Sequence, residues 1–146
     1  LVLGSLPGER SLADRCYYAH PRNQFWRLMG GAIGRELEPL AYDDRLAALA
    51  DAGVGLWDAV ASATRHGSLD AAIREIERNP LADLVSGLPD LRAVAFNGAT
   101  AARLGAGLLA GSGLALVPLP SSSPAHAAMP FAEKLRLWRS IGEFLG

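Results

Sequence analysis

Short apolar runs alternate along this chain with stretches whose apolar residues recur every three or four positions. The runs are Leu1-Val2-Leu3-Gly4, Val54-Gly55-Leu56-Trp57, Leu91–Phe96 and Leu114–Leu119. Each has strand length and is bounded by Gly, Pro, Asn or Asp, so each predicts a buried strand. Phe25, Leu28, Met29, Ala32 and Ile33 predict a helix that begins near Arg22, with Pro21 at its first turn and Gly30-Gly31 and Gly34 marking its fraying end. Tyr42, Leu46, Leu49 and Ala50 form the stripe of a second helix, stopped by Gly53. A brief helix over 9–14, a small-residue helix after Asn97-Gly98 that ends near Gly105 or Gly107, and a last helix from Pro130 lined by Phe131, Leu135, Trp138 and Leu145 complete the pattern. Between 61 and 89 the acids, arginines and Asn79-Pro80 predict short helices and exposed turns.

Strands alternating with helices predict an α/β fold, a three-layer α/β/α sandwich with a short, mostly parallel four-stranded sheet. At 146 residues the expectation is one domain, 1–146. No apolar run approaches the ~20 residues of a membrane helix and none reads as a signal peptide, which predicts a cytoplasmic protein without a membrane partner. The single cysteine, Cys16, excludes an internal disulfide, and His20, His66 and His126 lack metal-ligand spacing, so neither a metal nor a cofactor is called for.

Net charge is −1, yet eleven of the fifteen acids fall between 36 and 90. The windows Asp14–Glu36 and Asp90–Glu133 contain no acid between their ends, and hold Arg15, Arg22, Arg27 and Arg35 in the first and Arg92 and Arg103 in the second. If the two windows share a face, that face can approach a polyanion while the whole stays neutral.

Every apolar run is followed by unusual local chemistry: Gly4-Ser5-Leu6-Pro7-Gly8, Asp58, Asn97-Gly98 and Pro120–His126. Carboxyl ends of parallel strands share one rim, where ligands bind, so these segments are expected to form one site. Residues 17–26, Tyr-Tyr-Ala-His-Pro-Arg-Asn-Gln-Phe-Trp, add aromatic rings beside a helix N-terminus, which suits a flat, partly anionic ligand such as a nucleobase and its phosphate.

In order and spacing these motifs resemble the uracil-DNA glycosylase superfamily, most strongly its hypoxanthine-DNA (deoxyinosine) branch and next its mismatch-specific uracil/thymine branch. The resemblance runs through Gly4-Ser5-Leu6-Pro7-Gly8, the long string Tyr18-Ala-His-Pro-Arg-Asn-Gln-Phe-Trp26 and Leu119-Pro-Ser-Ser-Ser-Pro-Ala125. It implies a monomeric base-excision repair enzyme that flips a deaminated base, hypoxanthine or uracil, out of single- or double-stranded DNA and hydrolyses its N-glycosidic bond. Most branches place a water-activating Asp or Asn where this chain has Leu6; the hypoxanthine branch leans instead on the amide that here is Asn23. His126 stands where that branch tends to have Asn.

On that resemblance Asn23 and His126 are the expected catalytic residues, with Tyr18 stacking on the extruded base and Ser5, His20, Asp58 and Asn97 contacting substrate. An ionised Asp58 accepts hydrogen bonds only, so it would select the N1–H of hypoxanthine or N3–H of uracil over adenine or cytosine. Arg22, Ser121, Ser122 and Ser123 are expected on DNA phosphates, and Ala125 in the gap left by the flipped base. Simpler roles compete with these: a helix-start cap for Asn23, a capping or surface carboxylate for Asp58, and plain turns for Asn97-Gly98 and the serines. A non-catalytic damaged-DNA or nucleotide binder is the rival class; a Ser/His hydrolase lacks a nucleophile elbow, and no Gly-x-Gly-x-x-Gly follows the first strand.

Overall fold

The computed structural model describes residues 1–4, 17–18, 22–58, 60–64, 75–78, 81–124 and 128–145, with backbone only for 58, 60–64, 75–78 and 82. Strands β1 (Val2–Gly4), β2 (Leu56–Asp58), β5 (Ala93–Asn97) and β6 (Ala115–Leu119) form one parallel sheet in the spatial order β2-β1-β5-β6. The predicted α/β fold with a four-stranded parallel sheet is therefore present. The central strands are apolar up to the terminal Asn97 of β5 and buried on both faces, as parallel sheets require. Pro118, which cannot donate to a ladder, is accommodated because β6 lies at an edge.

Side-chain alternation sorts the strand residues into two cores. Val2, Ala95 and Leu119 face α1 (Phe25–Ile33), α2 (Tyr42–Asp51), α5 (Phe131–Trp138) and the 3-10 helix Arg139–Phe144. Leu3, Val94 and Phe96 face α3 (Leu81–Ser86) and α4 (Ala99–Ala106) on the other side. Helices thus cover both faces.

Four details depart from the pattern-based reading. The second strand starts at Leu56 rather than Val54, because the Val54 N–H is spent on the Leu49 carbonyl at the end of α2, at 2.8 Å. The stretch read as short helices and turns contains an antiparallel pair, β3 (Val60–Thr64) with β4 (Glu75–Arg78), and only then α3. Ala and Glu are better helix formers than strand formers, so composition there pointed the wrong way until pairing supplied what propensity does not.

Helix α1 begins at Phe25, three residues beyond Arg22; ahead of it the Gln24 N–H meets the Ser122 carbonyl at 3.0 Å and the Phe25 N–H meets Asn23 Oδ1. Gly30 and Gly31 do not fray its end. They lie inside it, and the helix closes at Gly34 with φ 74°. A Cβ on Gly30 would sit 2.7 Å from the Arg35 carbonyl oxygen, and one on Gly31 would overlap the Leu135 side chain. The two glycines let α1 approach its own return chain and α5.

This close approach fixes the sign of a substitution. Helix propensity alone favours Gly30→Ala by about 1 kcal/mol, but the obstructing atom is backbone and cannot rotate away. Overpacking of this kind costs about 1–3 kcal/mol. Gly30→Ala is expected to lower the denaturant midpoint of unfolding, whereas a midpoint at or above wild type would remove the packing role.

Candidate active site

In chain order the parallel strands run β1, β2, β5, β6, but in space β1 and β5 are neighbours, so the winding reverses direction between them. Ligands of open parallel sheets bind outside the carboxyl ends at such a reversal. Gly4, which ends β1, is in register with Asp58 at the end of β2; Leu3 pairs with Phe96, one residue before Asn97; Asn97 pairs with Leu119 at the end of β6. The strand ends that lead into the expected segments therefore share one rim at the backbone level. Ser5, His20, Ala125 and His126 lie outside the described residues.

The aromatic string folds onto this rim. Phe25 is fully buried, and the Tyr18 ring stacks on it with centroids 3.8 Å apart and planes inclined by 16°. Tyr18 holds a left-handed backbone conformation, φ 55°, which a side chain other than Gly adopts at a cost of about 1–3 kcal/mol. The surrounding contacts hold it there. Asn23, five residues on, accepts the Phe25 N–H through Oδ1 at 3.0 Å. That bond is the helix-start role weighed against catalysis, and it commits Oδ1 as an acceptor while Nδ2 remains the donor end of the amide. Arg22 is exposed beside it.

The last rim segment is tied to both neighbours. Asn97, 8 % exposed, donates from Nδ2 to Ser122 Oγ and accepts the Ser122 N–H through Oδ1, both at 2.9 Å. The Ser122 carbonyl takes the Gln24 N–H. Gly98, at φ 99°, leaves room for Ser121, whose Cβ would lie 3.2 Å from a Cβ at that position. Ser121 Oγ in turn accepts the Ser123 N–H at 3.1 Å.

These bonds alter two expected roles. Ser122 is 1 % exposed and its hydroxyl is engaged by Asn97, so it shapes the loop instead of gripping phosphate; Asn97 spends both ends of its amide on the same loop. Among the described residues the arginines of the two acid-free windows do not gather into one basic face, and Arg103 stands exposed on α4. Arg27 pairs with Glu38 at 3.5 Å and Arg35 with Asp51 at 4.0 Å, while Arg92 precedes β5 and so stands at the opposite, amino end of the sheet. Arg22 is the arginine of those windows that the described residues bring to the rim. A cavity of about 280 Å³ between Leu1, Val54, Arg92 and Phe144 also lies at the amino end, away from these groups.

A family profile described as the Uracil DNA glycosylase superfamily matches residues 1–142. The chain belongs to this superfamily. It is 42% identical over 126 residues to a hypoxanthine DNA glycosylase of Methanosarcina acetivorans, covering 86% of this chain and 79% of that protein. A hypoxanthine DNA glycosylase of Methanosarcina barkeri is 44% identical over 98 residues, 67% of this chain and 62% of that protein. Among solved structures, a solution NMR structure from Methanosarcina acetivorans, provisionally assigned as a uracil DNA glycosylase, superposes with a TM-score of 0.86 at 36% identity over 98% of this chain and 88% of that one.

Lys134 escaped the pattern-based reading of this glycosylase-superfamily rim, and Trp138 was read there only as lining the last helix. Lys134 is 1 % exposed on the inner side of α5, and its Nζ donates to Gln24 Oε1 at 3.0 Å. Trp138, one turn later and fully buried, donates from Nε1 to the Pro120 carbonyl at 2.9 Å. A signal was present. Lys134 is the single lysine among fourteen basic residues and sits three positions after Phe131, on the stripe that also carries Trp138.

Burial pushes the Lys134 ammonium below its ordinary value of 10.5, because the folded state penalises its charged form. Between the lowered folded value and 10.5 the native state binds fewer protons than the unfolded chain, so stability rises with pH across that window. Lys134→Met removes this group from the balance. Unfolding midpoints measured across the alkaline range are expected to climb more in wild type than in the variant, and parallel curves would show that the lysine is not desolvated.

Proposed function

We propose that this chain is a monofunctional DNA N-glycosylase that takes a deaminated base, hypoxanthine or uracil, out of DNA and hydrolyses its N-glycosidic bond to leave an abasic site. The observation that carries this reading is the pairing of a ring and an amide at one rim: Tyr18 stacked flat on buried Phe25, and Asn23 bonded to the Phe25 N–H. The hypoxanthine DNA glycosylases of two Methanosarcina species, at 42% and 44% identity, support the substrate class.

Water attacks C1′ while the bond from C1′ to the base nitrogen breaks and its electron pair leaves with the base. The water gives up one proton as it becomes the C1′ hydroxyl, and the departing base takes up one, directly or through solvent. Positive charge grows on the sugar and negative charge on the base, and fixed dipoles placed in advance can stabilise both. In this reading Tyr18, backed by Phe25, supplies stacking to replace what the base loses on leaving the duplex, about 1–3 kcal/mol. The Asn23 amide orients the water or the sugar. An amide cannot take a proton and Leu6 adds no carboxylate, so proton acceptance falls to the His126 imidazole or to solvent, and the rest of the rate rests on positioning and electrostatics.

Asp58, in register with Gly4 at the rim, reads the base edge by accepting its ring N–H. Arg22 and the backbone of the serine loop hold phosphate.

Oligonucleotides each carrying one hypoxanthine, uracil, thymine mismatch or xanthine, as duplex and as single strand, test the reading through alkali-labile breaks. Wild type is expected to cut at hypoxanthine or uracil. Asn23→Ala should lose about 100-fold or more, the scale of one removed transition-state group, while losing only about 1 kcal/mol of stability from the missing helix-start acceptor. A variant that cuts normally, or that fails to fold, would leave Asn23 as a cap alone. Asp58→Asn is expected to admit bases whose ring nitrogen accepts, such as adenine or cytosine; unchanged selectivity would take base reading away from this position.

A further inference from the structure

A lysine placed out of water is costly, and α5 holds one a single turn from a buried tryptophan. Lys134 and Trp138 are 1 % and 0 % exposed. The first donates to the Gln24 side chain and the second to the Pro120 carbonyl. Gln24 lies between Asn23 and Phe25, and its own N–H donates to Ser122, two residues after Pro120. The bonds therefore close a ring: from α5 to the start of α1, across to the serine loop, and back to α5. Two rim segments almost a hundred positions apart in the chain are held by one face of one helix.

We infer that Lys134 is a positioning residue for base excision: through Gln24 it fixes the junction that presents Asn23 against the serine loop. This rests on the glycosylase reading above. Hydrophobic packing alone would not favour a lysine here, since an apolar side chain of similar size fits a buried position without the desolvation cost. The Lys134 ammonium does what such a residue cannot. It donates to Oε1 and so sets the direction of the Gln24 side chain, whose backbone N–H makes the bond to Ser122.

A stability role and a positioning role predict different behaviour of Lys134→Met. The substitution removes a desolvated ammonium but leaves Gln24 Oε1 without its donor, two opposed effects that move the melting temperature little. Lys134→Met combined with Gln24→Leu removes both partners and leaves it unchanged or raised. For Lys134→Met the expected result is a single-turnover excision rate about tenfold or more below wild type at saturating enzyme, as misplacement of a catalytic group produces, with affinity for an uncleavable duplex within about twofold. Gln24→Leu should show a similar loss, and the double variant no further loss, because both changes open the same link. Wild-type rate in Lys134→Met, a loss that adds to that of Gln24→Leu, or a loss that follows a lowered melting temperature would each overturn the inference.

Hydrogen exchange on the free protein gives a reading that needs no activity. The Gln24 amide is expected to be protected in wild type and to lose protection in Lys134→Met, and unchanged protection would overturn the clamp. If wild type releases no base from any oligonucleotide, the glycosylase reading falls, and the exchange result alone then decides whether Lys134 holds this junction.

Discussion

Parallel pairing with a reversal between β1 and β5 is the constraint on which the rest of this molecule depends. Parallel strands end on the same side, so whatever follows each of them is delivered to one rim regardless of distance in sequence. The reversal then opens a crevice there, because the connections leave β1 and β5 in opposite directions. Chemistry scattered from Gly4 to Ser123 is brought together by this arrangement. What the sheet cannot do is set distances within the rim to the fraction of an ångström that catalysis needs. That falls to polar groups outside the sheet.

Those groups are buried, and burial makes them decisive. An unpaired amide, hydroxyl or ammonium out of water costs about 1–3 kcal/mol or more, so a loop held by Asn97, Ser122, Gln24 and Lys134 has few alternatives to the bonded arrangement. Each polar atom in the chain finds its partner on a different element: β5 with the serine loop, the serine loop with the start of α1, the start of α1 with α5. Apolar contact fixes the approach of α1 to α5, through Gly31 and Leu135, and hydrogen bonds then fix register along that contact. The same design explains why Ser122 is unsuited to phosphate: its groups are already committed inward.

Much of this was legible in the sequence, and the portion that was not has a physical reason. The four strands of the main sheet could be read because a strand buried on both faces is a continuous apolar run. The shared rim followed from where those runs stop. By contrast, β3 and β4 are short and outside the main sheet, and Glu75-Ile76-Glu77-Arg78 has the composition of an exposed helix. Gly30 and Gly31 looked like a helix end because glycine is most often placed there, whereas here the missing side chains are filled by Arg35 and Leu135. Lys134 was passed over because charge is normally read as exposure. Its partner stands 110 residues away, and only the fold brings Gln24 under it.

The two roles weighed for Asn23, helix-start cap and catalytic amide, are better understood as one. A free asparagine on a loop samples several rotamers, and a water or sugar held by such a group would be held in several places. The bond from the Phe25 N–H to Oδ1 removes that freedom and leaves Nδ2 as the donor end of the amide. Phe25 is at the same time the surface on which Tyr18 lies. One buried residue therefore orients the amide through its backbone and the stacking ring through its side chain, and the spacing between them becomes a property of the start of α1 rather than of two independent loops. Capping supplies the rigidity, and a group made rigid in this way can act on a reacting bond without paying again for its own ordering.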